Sequence, residues 1–284
     1  MSPAGAPTPI VLLPVGSDEG ALDACLAALD AGTPPGTRVW LADNAQSGPR
    51  GIDLIESWLA RTRLQAGYTR RTAPVAEAAH LAEALRACGD SVVAVLSPDA
   101  RPTPGWLGAL ADCFRHDPKI ATATPWCNAG ETAAWPRIGE IETNLPAPAP
   151  LAEACARLAA RASELPAAVA HAVLLRGSAC AAAGGLDAVS FHSWPVALID
   201  LSLRLAGLGW RNVLCPSAFV LREVESVPGA GDMDALAARW PNWNARIATF
   251  LMDDPLRALR EQLHAALAVA PGQSPQLDLF PDAT

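Results

Sequence analysis

The chain has 284 residues, 51% of them hydrophobic and 18% charged, with a net charge of −8. Length and apolar content suffice for one large α/β domain, or a domain with an appendage. The acidic balance argues against nonspecific adhesion to nucleic acid or anionic membrane, while local arginines remain available to a phosphate group. In chain order, Ile10 to Val15 reads as a buried strand, and Ala21 to Ala31 as a helix with Leu22, Cys25, Leu26 and Leu29 on one face. Thr37 to Ala42 is a second strand, closing at Asp43-Asn44. Helices are expected at Gly51 to Arg61 and Val75 to Cys88. Ser91 to Leu96 is a short, β-branched apolar run, as a strand covered on both faces should be. It ends in a lone carboxylate, Asp99, then a Pro-rich turn and a helix from Trp106 to Phe114. Ile120 to Thr124 is the next strand.

The second half is more broken. Residues 126–150 are Pro-rich and loop-like, and a helix follows at Leu151 to Ser163. His171 to Arg176 reads as a strand, Gly184 to Asp187 as a turn, and Ile199 to Gly207 as a helix. Asn212 to Cys215 and Ala218 to Leu221 read as two short strands separated at Pro216. Helices close the chain at Trp243 to Met252 and Pro255 to Ala268, the latter with Asp254 as its cap. This alternation predicts an α/β fold with a mostly parallel, doubly wound sheet flanked by helices. In such sheets ligands bind beyond the carboxyl ends of the strands, where Asp43 and Asp99 fall.

Several segments together resemble family 2 glycosyltransferases, over roughly residues 8–260. The segment Ser97-Pro98-Asp99 through Pro104-Gly105-Trp106-Leu107 is similar to that family's metal-site strand, with Ser97 at the first acid position and Asp99 at the second. Asp43-Asn44 through Gly48 resembles its base-binding loop. Leu174 to Asp187 resembles its Gly-Gly-Phe-Asp turn. Thr124 to Asn128 and Trp135 to Arg137 resemble an acceptor-side loop. The resemblance implies a GT-A-like (nucleotide-diphospho-sugar transferase) fold and transfer of a sugar, with inversion, from a nucleotide-sugar donor to a glycan or lipid-linked acceptor. It implies donor contacts at Asp43, Asp99 and Arg222, acceptor contacts at Trp126, Asn128 and Asp187, and Mg²⁺ or Mn²⁺ held at Asp99. Asp187 either touches acceptor or caps its turn. Each bland reading is equally physical, since Asp-Asn after a strand is ordinary turn chemistry.

Two positions depart from the family pattern. Asp200, Leu201 and Arg204 fix the register of the family's acidic helix, which places Leu198 where the general base belongs. Leucine takes no proton. Asp200 lies two residues on, about 200° around the helix, and is four residues from Arg204, so an ion pair is its expected role. His192, in the preceding loop, is the best replacement base. The family's metal-reaching His position falls on Arg222. Arginine is a poor metal ligand but a strong diphosphate partner. It either offsets diphosphate charge and lessens the need for metal, or is a strand-end charge. The alternative reading is a catalytically inactive relative acting as a donor-binding or partner subunit.

The expected layout is a flexible 1–8, a transferase-like domain at 9–225, a helical extension at 226–269 and a disordered tail at 270–284. The tail carries Gln276-Leu277-Asp278-Leu279-Phe280, similar to peptides that bind bacterial sliding clamps, and is a possible protein-partner site. Seven scattered cysteines without a Cys-x-x-Cys pair read as core residues in a reducing compartment. The N-terminal residues lack a signal-peptide pattern, and no apolar run reaches membrane-spanning length. The expectation is a cytoplasmic protein with no membrane span and no nucleic-acid partner.

Overall fold

The computed structural model describes residues 8–158, 161–224 and 227–268. The expectations for residues 1–7 and for the tail, Gln276–Phe280 included, lie outside them. The first half follows the predicted order with one strand added between the second and third helices: β1 (Ile10–Val15), α1 (Glu19–Gly32), β2 (Arg38–Asp43), α2 (Pro49–Leu59), the added β3 (Gln65–Arg70), α3 (Glu77–Cys88) and β4 (Val92–Leu96). A two-residue β5 (Arg101–Pro102), α4 (Trp106–His116) and β6 (Ile120–Trp126) follow. The remainder holds α5 (Pro148–Ala156), β7 (Ser163–Glu164), β8 (Ala172–Arg176), α6 (Gly177–Ala182), α7 (Trp194–Gly207), β9 (Arg211–Leu221), α8 (Asp232–Arg239), α9 (Trp243–Asp253) and α10 (Arg257–Ala268).

The strands form one sheet in the order β3-β2-β1-β4-β8-β6-β9-β5, with β7 also paired to β9. β3, β2, β1 and β4 are mutually parallel, as are β6 and β9, while β8 runs antiparallel to both its neighbours, β4 and β6. Two successive reversals leave β6 and β9 pointing the same way as β4. The carboxyl ends of β1, β2, β4, β6 and β9 and the amino end of β8 therefore share one edge of the sheet, the edge at which open α/β sheets bind ligands. β5 and β7 also run antiparallel to β9, so the sheet is parallel from β3 to β4 and mixed from β8 onward.

Helices cover both faces, which is why β1 and β4 read as continuous apolar runs. Alternate residues serve opposite cores. Val11, Leu13 and Val15 pack with Leu22, Leu26, Leu29, Ile55 and Trp106 on one face. Leu12, Val93 and Val95 pack with Leu81, Trp194, Leu198 and Leu205 on the other. A third cluster, around Trp126, Trp135, Leu151 and Leu263, fastens α5 and α10 to the β6–β9 end of the sheet.

Several elements differ from expectation. β3 was not foreseen: its residues are exposed or half-buried, because it is an edge strand with little apolar alternation. The two short strands around Pro216 are one strand, β9, whose register against β6 shifts between Pro125 and Trp126. That irregularity accommodates a proline in a ladder. Helix α7 begins at Trp194, five residues before the expected start, with Pro195 in its first turn and the Trp194 amide donating to Glu77 Oε2 at 2.8 Å. Helix α8 is short and polar, and it lacked the apolar period that would have revealed it. All seven cysteines are free, and burial pushes the Cys127, Cys155 and Cys180 thiols up to about 12. No helix among the described residues is long and apolar enough to cross a membrane.

Candidate functional site

Asp99 stands in the turn after β4 with its side chain only 12% exposed. Ser97 Oγ donates to Oδ1 at 2.7 Å, and the amides of Glu223 and Val224 donate to Oδ2 at 3.0 and 2.8 Å. Arg222 Nε lies 3.9 Å from Oδ2. Burial alone pushes the Asp99 carboxyl up, but Ser97, the Val224 amide, Arg222 and the Glu223 amide outweigh it and hold the pKa below the usual carboxylate range. The carboxylate thus ties the end of β4 to the segment after β9. Arg222 is buried, and its backbone is clamped from the far side: its amide donates to Asn128 Oδ1 at 2.8 Å, and its carbonyl accepts from Asn128 Nδ2 at 3.0 Å.

His171, just ahead of β8, completes this cluster. Its carbonyl accepts from the Ser97 amide at 2.8 Å, and the residue is fully buried. Burial first, and then the positive charge of Arg222, depress its pKa to about 3, so the imidazole is neutral. This placement was not legible in the sequence, because the antiparallel insertion of β8 brings position 171 beside position 97.

Asp43 anchors the second polar cluster. It is fully buried, its Oδ1 accepts from the Gln46 amide at 2.8 Å, and its Oδ2 accepts from the Tyr68 hydroxyl at 2.8 Å with Arg70 Nε at 3.5 Å. Burial and the Asp43 hydrogen bond push the Tyr68 phenol up to about 12. Tyr68 and Arg70 are more exposed than the carboxylate they contact. Both belong to β3, the strand that sequence patterning missed. Asn44 holds the same loop to the segment before α3 through reciprocal bonds with Val75, at 2.8 and 3.0 Å.

The base-side residues are arranged differently. Leu198 is completely buried among Trp194, Leu201, Leu205 and the sheet. Asp200 is also fully buried, with Arg204 Nε at 2.8 Å from Oδ2, and Arg239 Nη1 at 3.1 Å and Trp240 Nε1 at 3.0 Å from Oδ1. It is an ion-pair hub and no base. Asp187 caps its own turn through the Val189 and Ser190 amides and pairs with Arg239. Burial acts to raise its pKa, yet the Ser190 amide and Arg239 bring it to about 2. Turn capping and the Arg239 ion pair together account for the contacts of Asp187. Trp126 has no exposed surface and belongs to the third core cluster, so it offers no ring face to a sugar. Asn128 spends its side chain on Arg222 and on the Glu142 carbonyl, a brace rather than an acceptor contact. His192 has a 67% exposed side chain, with Nδ1 3.4 Å from Asp232 Oδ1. Asp232, itself buried, accepts from the His192 and Ser193 amides and the Ser193 hydroxyl.

An open cleft of about 480 Å³ lies between the loop after β6, the segment 166–170, α7 and α9, and Arg222 forms part of its wall. From α7 it receives Pro195 and Ile199, one helical turn apart. Leu198 and Asp200 face elsewhere.

The residues present do not build a divalent-cation site. Among the described residues no three His, Cys, Asp or Glu side chains come together. Asp99 is the single carboxylate at this position, and both its oxygens already accept hydrogen bonds. A guanidinium stands where a third ligand would be wanted.

No protein-family model matches the chain, and no curated protein matches it. Solved structures do. The chain is similar to GalNAc-T7 bound to UDP, GalNAc and Mn²⁺, with a TM-score of 0.64 and 11% identity over 92% of this chain and 55% of that one. It is similar to the mannosyltransferase PcManGT from Pyrobaculum calidifontis bound to GDP-Man and Mn²⁺, with a TM-score of 0.60 and 16% identity over 95% of this chain and 78% of that one. It is also similar to S. aureus TarS 1–349 bound to UDP-GlcNAc, with a TM-score of 0.53 and 11% identity over 91% and 71%. The chain thus spans about half the length of the GalNAc-T7 structure. At these identities the likeness shows the fold: a GT-A α/β fold with a large central sheet flanked by helices.

Proposed function

We propose that this chain is a nucleotide-sugar-dependent glycosyltransferase of family 2 type, transferring a sugar with inversion to a glycan or lipid-linked acceptor. One observation carries the reading: a charge-balanced cluster of Asp99, Ser97, Arg222 and His171 at the ligand-facing edge of a GT-A sheet. Fold neighbours solved with UDP, GDP-Man and UDP-GlcNAc support it. In this proposal Arg222 takes the charge of the donor diphosphate directly, since a fork of N–H donors suits phosphate oxygens. Asp99 orients Arg222 and the amides beside it. Tyr68 and Arg70, set by Asp43, form the base-binding wall.

Burial of Leu198 favours a second reading, a donor-binding subunit without turnover. Both readings require the donor site. Calorimetric titration of UDP, GDP and their sugars tests it, with Asp99→Asn expected to weaken donor binding at least about tenfold. Equal binding by Asp99→Asn and wild type would remove Asp99 from the site.

A further inference from the structure

We infer that Glu131 is the proton acceptor for sugar transfer, an assignment that rests on the donor-site reading above. The chemistry demands such a group. The acceptor oxygen forms a bond to the anomeric carbon, and the bond from that carbon to the diphosphate oxygen breaks. The electron pair leaves on the nucleoside diphosphate, and the hydroxyl proton must pass to a base on the opposite face. Helix α7 brings only Pro195 and Ile199 to the cleft beside Arg222, and neither takes a proton.

Among the described residues lining that cleft, Glu131 is the one carboxylate, Arg222 is a cation, and no histidine is present. Most of the remaining wall is apolar. Glu131 follows Gly130, whose φ of 101° turns the loop after β6 in a way other residues resist. The loop is fixed on both sides: the Cys127 amide donates to the Ala133 carbonyl at 2.9 Å, and the Gly139 amide to the Gly130 carbonyl at 3.0 Å. Thr132, Ala133 and Ala134 are buried, while Glu131 is exposed. Glu131 thus lines the cleft from braced backbone, the support a positioned general base needs. The other candidates are committed elsewhere: Asp99 to the β9 segment, Asp200 to two arginines, and Glu223 to Arg101 at 3.1 Å. His192 does not line this cleft.

The test is hydrolysis of UDP-glucose, UDP-GlcNAc and GDP-mannose, with water as acceptor, by wild type, Glu131→Gln, Glu131→Asp and Glu140→Gln. Donor affinity is measured in parallel by calorimetry, and folding by thermal unfolding. Glu131→Gln should lower turnover at least about 100-fold, remove the acidic limb of the pH–rate profile and leave donor affinity within about twofold. Glu131→Asp should recover part of the rate. Glu140, in the same loop and paired with Arg137, should be dispensable. Full turnover by Glu131→Gln would overturn the assignment, as would a wild type that binds donor but hydrolyses none of the three. A wild type that binds no nucleotide would instead sink the donor-site reading itself.

Discussion

The two sides of the ligand-facing edge are built on different principles. At the ends of β2 and β4, a buried and a half-buried carboxylate are each matched: Asp43 by Tyr68 and Arg70, Asp99 by Ser97, two amides and Arg222. On the base side, helix α7 presents Pro195 and Ile199 to the cleft and turns Leu198 into the core. Burying a charge is costly unless it is paired, so a polar cluster this well matched is a specific arrangement rather than a residue of packing. The difference teaches that the carboxylates at the ends of β2 and β4 keep matched partners although position 198 is a buried leucine. Under the proposed function, catalysis would depend on a group outside α7.

The sharpest way to break this comparison is Leu198→Asp. If position 198 faced a site, an aspartate there would restore a base. In the structure it is a core residue, so the substitution should cost more than about 4 kcal/mol of unfolding free energy in urea denaturation, by combining a lost Leu side chain with a buried unpaired charge. Native-like stability would place Leu198 in the site instead. Asp200→Ala should follow, at about 3 kcal/mol, because it removes the buried carboxylate that Arg204, Arg239 and Trp240 share. A much smaller loss would mean that the hub is solvated.

A pH effect sharpens the donor side. His171 is neutral when folded, with a pKa near 3 against an ordinary 6.5, while Asp99 and Arg222 are the charged groups acting on it. Below pH 6.5 the unfolded chain binds a proton that the folded chain refuses, so stability falls as pH drops, by about 1.4 kcal/mol per unit at the steepest. The loss should begin above the range where carboxylates titrate. Unfolding free energies measured between pH 6.5 and 5 should slope accordingly in wild type and lie flat in His171→Leu; a flat wild-type profile would contradict the buried neutral imidazole. The smallest effect is expected from Tyr68→Phe, which removes one hydrogen bond to Asp43 and should cost about 1 kcal/mol by the same denaturation assay. Asp43→Ala, by contrast, removes the acceptor that Tyr68, Arg70 and the Gln46 amide share.

How much of this was legible in the sequence depended on burial. β1, α1, β2, β4, α4 and β6 announced themselves through apolar period, because both sheet faces are covered there. The place of Asp99 beyond the end of β4 was legible, because a lone acid follows a buried apolar run there, ahead of Pro104-Gly105-Trp106. β3 was not, since an exposed edge strand carries no pattern, and with it went Tyr68 and Arg70. The true start of α7 was signalled by Ser193 and Pro195, a cap residue and an N-terminal proline, but apolar spacing alone suggested Ile199. His171 and Glu131 were illegible for another reason: their neighbours are set by the antiparallel placement of β8 and by the loop after β6, and neither is a local property. Trp126 and Asn128 were expected at the acceptor; in the structure one fills the core and the other braces Arg222.

The central claim is that Arg222, oriented by Asp99, takes the charge of a donor diphosphate. Its most direct test is calorimetric titration of UDP and GDP into wild type and Arg222→Lys, each with Mn²⁺ and with a chelator. The account predicts wild-type binding that persists in the chelator and weakens at least about tenfold in Arg222→Lys, where the charge remains but the two-pronged contact is lost. Binding that vanishes in the chelator and is indifferent to the lysine substitution would contradict it.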